Sequence, residues 1–408
     1  MKSTIIEVIF FSVIILFSFL PNLISQKKSL YLKKYKDIYL LTLNLCFLFL
    51  ILHFSLLKLA LLLSLLFLIF ITIEKSNLSK RIKLLFSLSL CLSLLVLYKW
   101  NHLISHGDSS NTFQLIGLSY FLLKLIHYSV DRYYNLTEST RLLTLANYLL
   151  YFPTFISGPI LKIQEYDATT NHKQTLKERL DLLLIGIKRI ILGLFKTQVI
   201  IHFLTTYDLH SYPEEFLLSF PLGKILLLMS ISTINLYMNF SGYCDLVLGF
   251  SLCLGIKVPE NFNYPFISRN LQEFWQRWHI TLSLWLKMYV FTPIYKNINS
   301  NKYGKQYKVI TFSFSIFITF FLMGLWHGFD NNYLIYGLLQ GGGLAVNVIW
   351  DKFLIKKKLK QKYLKSQVLK IMATTMTFFY FSFTLMFFNA ATSAKLKLVW
   401  LLLMRPFQ

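Results

Sequence analysis

Two histidines stand where an imidazole, the side chain that gives and takes protons near neutral pH, could do chemistry. The first, His279, belongs to residues 262–285, FNYPFISRNLQEFWQRWHITLSLW, where a turn at Pro265 delivers aromatics, charges and a histidine together. On a 3.6-residue helix Gln272, Gln276, His279 and Ser283 fall along one line, and Leu271, Phe274, Trp275, Trp278, Leu282 and Trp285 along the other. Asn270 with Glu273 forms a capping box, Glu273 and Arg277 form an i,i+4 pair, and the helix is predicted to start near Asn270. The same pattern also fits an interfacial helix anchored by tryptophans; His279 on the polar stripe keeps the chemical reading open. The second histidine, His327, sits between Trp326 and Gly328, beside the polar turn Asp330-Asn331-Asn332, where it could equally cap a helix. Asn235, Asn239, Ser241 and Asp245 occupy an otherwise apolar stretch. An ionised aspartate at mid-membrane costs about 2.5–3.5 kcal/mol, so Asp245 is expected to face protein or water with a partner.

The elements that must position these residues are membrane helices. Of 408 residues 55% are hydrophobic, and mean hydropathy is +0.54, above the roughly 45–50% apolar usage of soluble domains. Runs near the 20 residues or so needed to span a bilayer recur around 4–25, 38–73, 82–98, 112–129, 182–203, 224–256, 309–326, 333–350 and 368–390. They predict an all-α, polytopic membrane protein of about 10–12 segments, counting 38–73 as a hairpin and allowing for broken runs. At 150–160, LYFPTFISGPI, Pro153, Gly158 and Pro159 interrupt an apolar run. A re-entrant or broken segment is one reading and a proline-kinked helix end the other. Gly324 with Gly328, and Gly337 with Gly341, are small-xxx-small pairs that allow close helix approach.

A net charge of +24 would raise nucleic acid as a partner of a soluble protein. Here the lysines cluster between apolar runs: at Lys27, Lys28, Lys33, Lys34 and Lys36; at Lys75, Lys80, Arg81 and Lys83; at Lys296, Lys302, Lys305 and Lys308; and with seven lysines between Lys352 and Lys365. Orientation explains them without nucleic acid: all four clusters read as cytoplasmic, the turn at 330–332 as outer, and the N-terminus as outside. Cys46, Cys91, Cys244 and Cys253 show no ligand spacing and read as small core residues, with no metal site. The opening run lacks a small-residue cleavage site and is expected to be a retained helix. His53, His102, His106 and His127 occur singly and read as satisfied or interfacial. The chain shows no internal repeat and reads as a single membrane domain over 1–408.

FISGPI at 155–160, NFSGYCDLVLGF at 239–250, VPENFNYPFISRNLQEFWQRWHITLSLWL at 258–286 and GLWHG at 324–328 resemble, in order and spacing, the membrane-bound O-acyltransferase family. Two histidines 48 residues apart, one in RWH and one in WHG, are its most specific feature. The resemblance covers about residues 110–350. It implies a bundle around a central funnel in a bacterial cytoplasmic membrane, with His327 as the catalytic histidine and His279 as the second functional one. It also implies a substrate path including Trp326, Lys287, Arg277, Trp278, Gly158, Pro159, Asn239 and Asp245. Bacterial branches of the family acetylate polysaccharides such as alginate or peptidoglycan, or take part in D-alanylating teichoic acids. SGYCD and PENFNYP lean to the first, FPTFISGPI and PFISRN to the second. Where members often read W-L-R-D-Y, this chain has Trp285, Leu286, Lys287, Met288 and Tyr289, without the acidic residue, and Thr292, Pro293, Ile294 and Tyr295 replace a glycine-rich continuation.

The implied reaction moves an acetyl or D-alanyl group from a cytoplasmic thioester, acetyl-CoA or an acyl carrier protein, to hydroxyls of an outer envelope polymer, with or without a helper acyltransferase. The donor is a co-substrate, and no bound cofactor is implied. Forming a free alkoxide before attack, from a hydroxyl of pKa about 15.7 with an imidazole near 6.5, would cost roughly 12 kcal/mol. His327 is therefore expected to take the proton as the oxygen attacks, while His279 or Lys287 steadies the donor carbonyl. A lipid or protein acyltransferase, a transporter and a structural membrane partner docking through its tryptophans are the alternatives. A transporter should show repeat symmetry.

Overall fold

The computed structural model describes residues 29–52, 56–104, 117–138, 140–172, 174–300, 302–359 and 365–388. The expected span at 4–25, Lys27, Lys28, His53 and His106 lie outside them. The fold is all-helical, and an isolated antiparallel bridge between Phe262 and Trp278 is the extent of β pairing among the described residues. Five described helices are long and apolar enough to cross a membrane, spanning Lys80–Trp100, Leu222–Cys253, Lys308–His327, Asn331–Lys356 and Gln367–Phe388. The run at 38–73 forms the expected pair of helices, α1 (Ser29–Leu52) and α2 (Leu56–Lys75). The chain divides into two compact units, one of residues 1–193 with 243–259 and one of 194–242 with 260–408.

In the first unit the segment at 150–160 is broken, not a kinked helix end. Helix α3 (Leu118–Tyr133) packs beside α4 (Leu142–Leu149), which stops before a 3-10 turn at Phe152–Thr154. The chain then runs without regular structure to α5 (Ile163–Asn171), passing Gly158 at φ 108, a left-handed conformation that favours glycine. Backbone polar groups freed by such a break need other partners when water is absent. Asn44 Oδ1 accepts from the Phe152 N–H (3.0 Å), and Tyr148 OH donates to the Leu161 carbonyl (3.1 Å). The buried Lys124 ammonium donates to the Tyr148 carbonyl (3.2 Å) and to Thr154 Oγ1 (2.9 Å). These side chains replace the missing helix ladder, which is why the break can be buried. His127 is buried, its Nε2 lying 3.1 Å from Asp131. Cys91, Cys244 and Cys253 are buried, whereas Cys46 is exposed on α1, which corrects its reading as a core residue.

The second unit is built on a helical hairpin. α6 (Lys308–His327) and α7 (Asn331–Lys356) are joined by a three-residue connection and approach closely where glycines face. A Cβ on Gly324 would lie 2.5 Å from the Tyr333 carbonyl and 2.9 Å from Gly337 Cα, and one on Gly341 would lie 2.8 Å from the Phe317 carbonyl. α8 (Gln367–Phe388) packs along α7. Buried Gln340 of α7 accepts from the Trp275 indole (3.1 Å) and donates to Thr384 of α8 (2.6 Å), tying the tryptophan-rich stretch to both helices.

Candidate active site

His279 is placed by a break that helical periodicity does not reveal. Asn270 caps the start as expected: its Oδ1 accepts from Glu273 N–H (2.8 Å), while Glu273 accepts from Arg269 N–H (3.0 Å) and pairs with Arg277 (3.0 Å). That helix, α9 (Leu271–Arg277), then ends. Trp278 is extended, His279 is left-handed (φ 45, ψ 52), and a new helix, α10, spans Ile280–Leu286. A non-glycine residue in this region carries strain of about 1–3 kcal/mol and persists only when its surroundings hold it. They do so through buried Asn261. Its carbonyl accepts from Ile280 N–H (3.0 Å), and its Oδ1 accepts from the Thr281 N–H (3.1 Å) and hydroxyl (2.7 Å).

The continuous polar stripe through Gln272, Gln276, His279 and Ser283 is accordingly corrected. Gln276 is exposed, whereas His279 is 6% exposed and its ring meets Phe240 edge-on at 4.8 Å. Burial pushes the His279 pKa down to about 3, so the ring is neutral at physiological pH. Phe262 bridges the surroundings, with its ring 5.1 Å from Trp278 and 5.2 Å from Phe240.

His327 is the last residue of α6 and is part-buried. Its ring packs against Trp326 (4.8 Å), Tyr333 (6.1 Å, stacked), Tyr336 (6.4 Å) and Phe388 (4.9 Å). Gly328 is needed beside it because a Cβ there would strike the Tyr333 ring at 2.5 Å. Trp278, next to His279, meets α8 at Phe381 (4.9 Å), and His327 meets it at Phe388. Seven residues of helix separate the two contacts, a rise of about 10 Å.

The other expected site residues are distributed unevenly. Trp278 is buried beside His279, Arg277 and Trp326 are part-buried, and Lys287 and Asn239 are exposed. Lys287 opens a π-helical turn, Lys287–Phe291. Gly158, Pro159 and Asp245 belong to the first unit. There Asp245 has the expected partner, Arg189, at 2.5 Å. Sequence reasoning missed Asn261 and Phe240, which hold and cover His279, and Phe388, which faces His327. The motif sequences around the first two contained them, but no local pattern marks a packing partner such as Phe388.

A multi-pass, all-helical membrane protein with one imidazole buried in its interior and a second at a helix end is the class these features define. The chain belongs to the membrane-bound O-acyltransferase family, whose description matches residues 3–389. It is 33% identical to the teichoic acid D-alanyltransferase of Bacillus subtilis over 70% of this chain and 71% of that protein. It is 36% identical to a probable alginate O-acetylase AlgI of Pseudomonas syringae over 57% of this chain and 42% of that protein, so it spans under half of that relative. A peptidoglycan O-acetyltransferase of Helicobacter pylori is 28% identical over 77% and 63%.

Proposed function

We propose that this enzyme transfers an acetyl or D-alanyl group from a cytoplasmic thioester, acetyl-CoA or an acyl carrier protein, to hydroxyls of an envelope polymer outside a bacterial cytoplasmic membrane. The observation that carries this is the placement of His327 at the end of α6, on the tight turn opposite the lysine-rich ends of the α6–α7 hairpin. By the positive-inside rule that turn faces outward, where a polymer hydroxyl arrives.

His327 takes the hydroxyl proton as the oxygen attacks the thioester carbon. The carbonyl end of a helix favours the imidazolium that results. The tetrahedral adduct then collapses, the carbon–sulfur bond breaks, and the thiolate takes a proton. His279, neutral and held by Asn261, contributes a hydrogen bond along the donor's path and no charge. In the first unit the broken backbone at Gly158 and Pro159 leaves room for substrate, and in the second unit Trp326, Trp278 and Arg277 line the donor's path. Lys287 and Asn239, both exposed, meet the substrates at its edges, and Asp245 sets the frame through Arg189. The polymer is reached directly or through a helper acyltransferase.

The test compares alkali-labile acetate and D-alanine released from envelope polymers of cells carrying the intact gene, His327→Ala, or none. Ester present only with the intact gene, of one acyl type, is the expected result. Equal release in all three overturns the proposal.

A further inference from the structure

The second unit opens with a π-helical turn, Phe195–Ile200, an irregularity that recurs at functional sites. It carries Lys196, part-buried, whose ammonium donates to Ser241 Oγ (3.4 Å) and lies 6.0 Å from the Tyr237 ring centroid. Tyr237, Phe240 and Ser241 share one face of helix Leu222–Cys253. Tyr237 meets Trp278 at 6.1 Å and Phe262 at 5.5 Å, and Phe240 meets His279. Lys196 and His279 therefore belong to one cluster of contacting side chains that includes Trp278. Trp278 of that cluster meets α8 at Phe381, about 10 Å of helix rise from the Phe388 contact of His327, toward the lysine-rich end that the positive-inside rule assigns to the cytoplasm.

We infer that Lys196, with Ser241, is a donor-binding residue that receives an amide of the pantetheine arm carrying the acyl group. The inference rests on the thioester-donor reading above, and it names the part of the donor that is recognised. Acetyl-CoA and acyl carrier proteins present their acyl group on the same arm, in which the sulfur is followed by two secondary amides. With bonds of about 1.5 Å, an extended arm puts their carbonyls about 5 and 10 Å from the sulfur. With the thioester carbon at His327, the second amide lies about as far away as the α8 contact of Trp278, whose cluster contains Lys196. An amide drawn into an apolar bundle needs hydrogen-bond partners. The ammonium supplies donors to its carbonyl, and the Ser241 hydroxyl accepts from its N–H. No bond is made or broken at Lys196, which holds the arm.

The test uses the full chain in detergent with isolated cell envelopes as acceptor, following thiol release from S-acetylpantetheine and from S-ethyl thioacetate, which lacks both amides. D-Alanyl thioesters of the same two thiols are run in parallel. Lys196→Met should raise KM for the pantetheine thioester about tenfold with kcat nearly unchanged, and leave S-ethyl thioacetate unaffected. Lys196→Gln, which keeps a donor, should recover most of the loss. If Lys196→Met does not fold, the same split is read from Ser241→Ala. A uniform fall with both donors, or no change with either, overturns the inference and leaves acyl transfer standing. Equal thiol release by the intact protein and His327→Ala removes the acyl-transfer reading and the inference with it.

Discussion

Replacing Gly324 by alanine should damage catalysis more than its one added methyl group would suggest. The new Cβ would stand 2.5 Å from the Tyr333 carbonyl and 2.9 Å from Gly337 Cα, both backbone atoms of the facing helix. Ordinary contact begins near 3.5 Å, so α6 and α7 must part by about 1 Å one turn before His327. Overpacking of this kind costs about 1–3 kcal/mol, and a misplacement of about 1 Å at a reacting group costs on the order of 100-fold in rate. Gly342→Ala is the internal control, because a Cβ there meets nothing within 4 Å. Alanine at a helix interior position is favoured over glycine by about 1 kcal/mol. Thermal melting in detergent and single-turnover acyl transfer, measured on both variants, give the comparison. Gly342→Ala should melt at or above the parent temperature with parental rate, while Gly324→Ala should melt lower and transfer slowly. Parental rate and melting in Gly324→Ala would refute the claim that glycine contact sets the position of His327.

Asn261→Ala should lower stability by about 2–4 kcal/mol, because it strips the buried Thr281 N–H and hydroxyl of their acceptor; denaturant melts and the acyl-transfer rate should fall together as His279 loses its anchor. Gln340→Leu should cost about 2 kcal/mol by leaving the Trp275 indole and Thr384 without their partner, seen as a melting shift with Trp275 fluorescence moving before global unfolding. His279 makes stability fall in mild acid. Its folded pKa, about 3 through burial, lies below the unfolded value near 6.5, so the unfolded chain binds the extra proton below pH 6.5. The group has no effect above pH 6.5 and costs about 2 kcal/mol by pH 5, a slope that His279→Gln should remove from melting curves taken between pH 5 and 8.

Much of this frame was legible because its signals are local. The Asn270–Glu273 cap and the Glu273–Arg277 pair lie within one or two turns of helix, and the glycine spacing on α6 and α7 reports directly on how near two backbones come. The break at 150–160 announced itself through Pro153, Gly158 and Pro159, although nothing local tells that Asn44 and Lys124 satisfy it. The failure at His279 has the same origin. Periodicity carries Gln272 through Ser283 as one helix, and histidine gives no warning of a positive φ. The left-handed turn is imposed by Asn261, 18 residues earlier in the chain, and by the bridge from Phe262 to Trp278. Asp245 could be seen to need a partner, but Arg189, 56 residues away, could not be chosen from sequence. Nothing local singles out Lys196; the π-turn sets it beside Ser241 and Tyr237.

The central claim is that acyl groups cross from a thioester on the cytoplasmic face to a polymer on the other side with His327 as the base. Inside-out membrane vesicles, whose cytoplasmic face is outward and whose polymer is enclosed, test it most directly when given radiolabelled acetyl and D-alanyl thioesters. Alkali-labile label should accumulate on enclosed polymer in vesicles bearing the intact protein and stay at background with His327→Ala. Equal labelling by the two proteins, or label confined to the outward face, would contradict it.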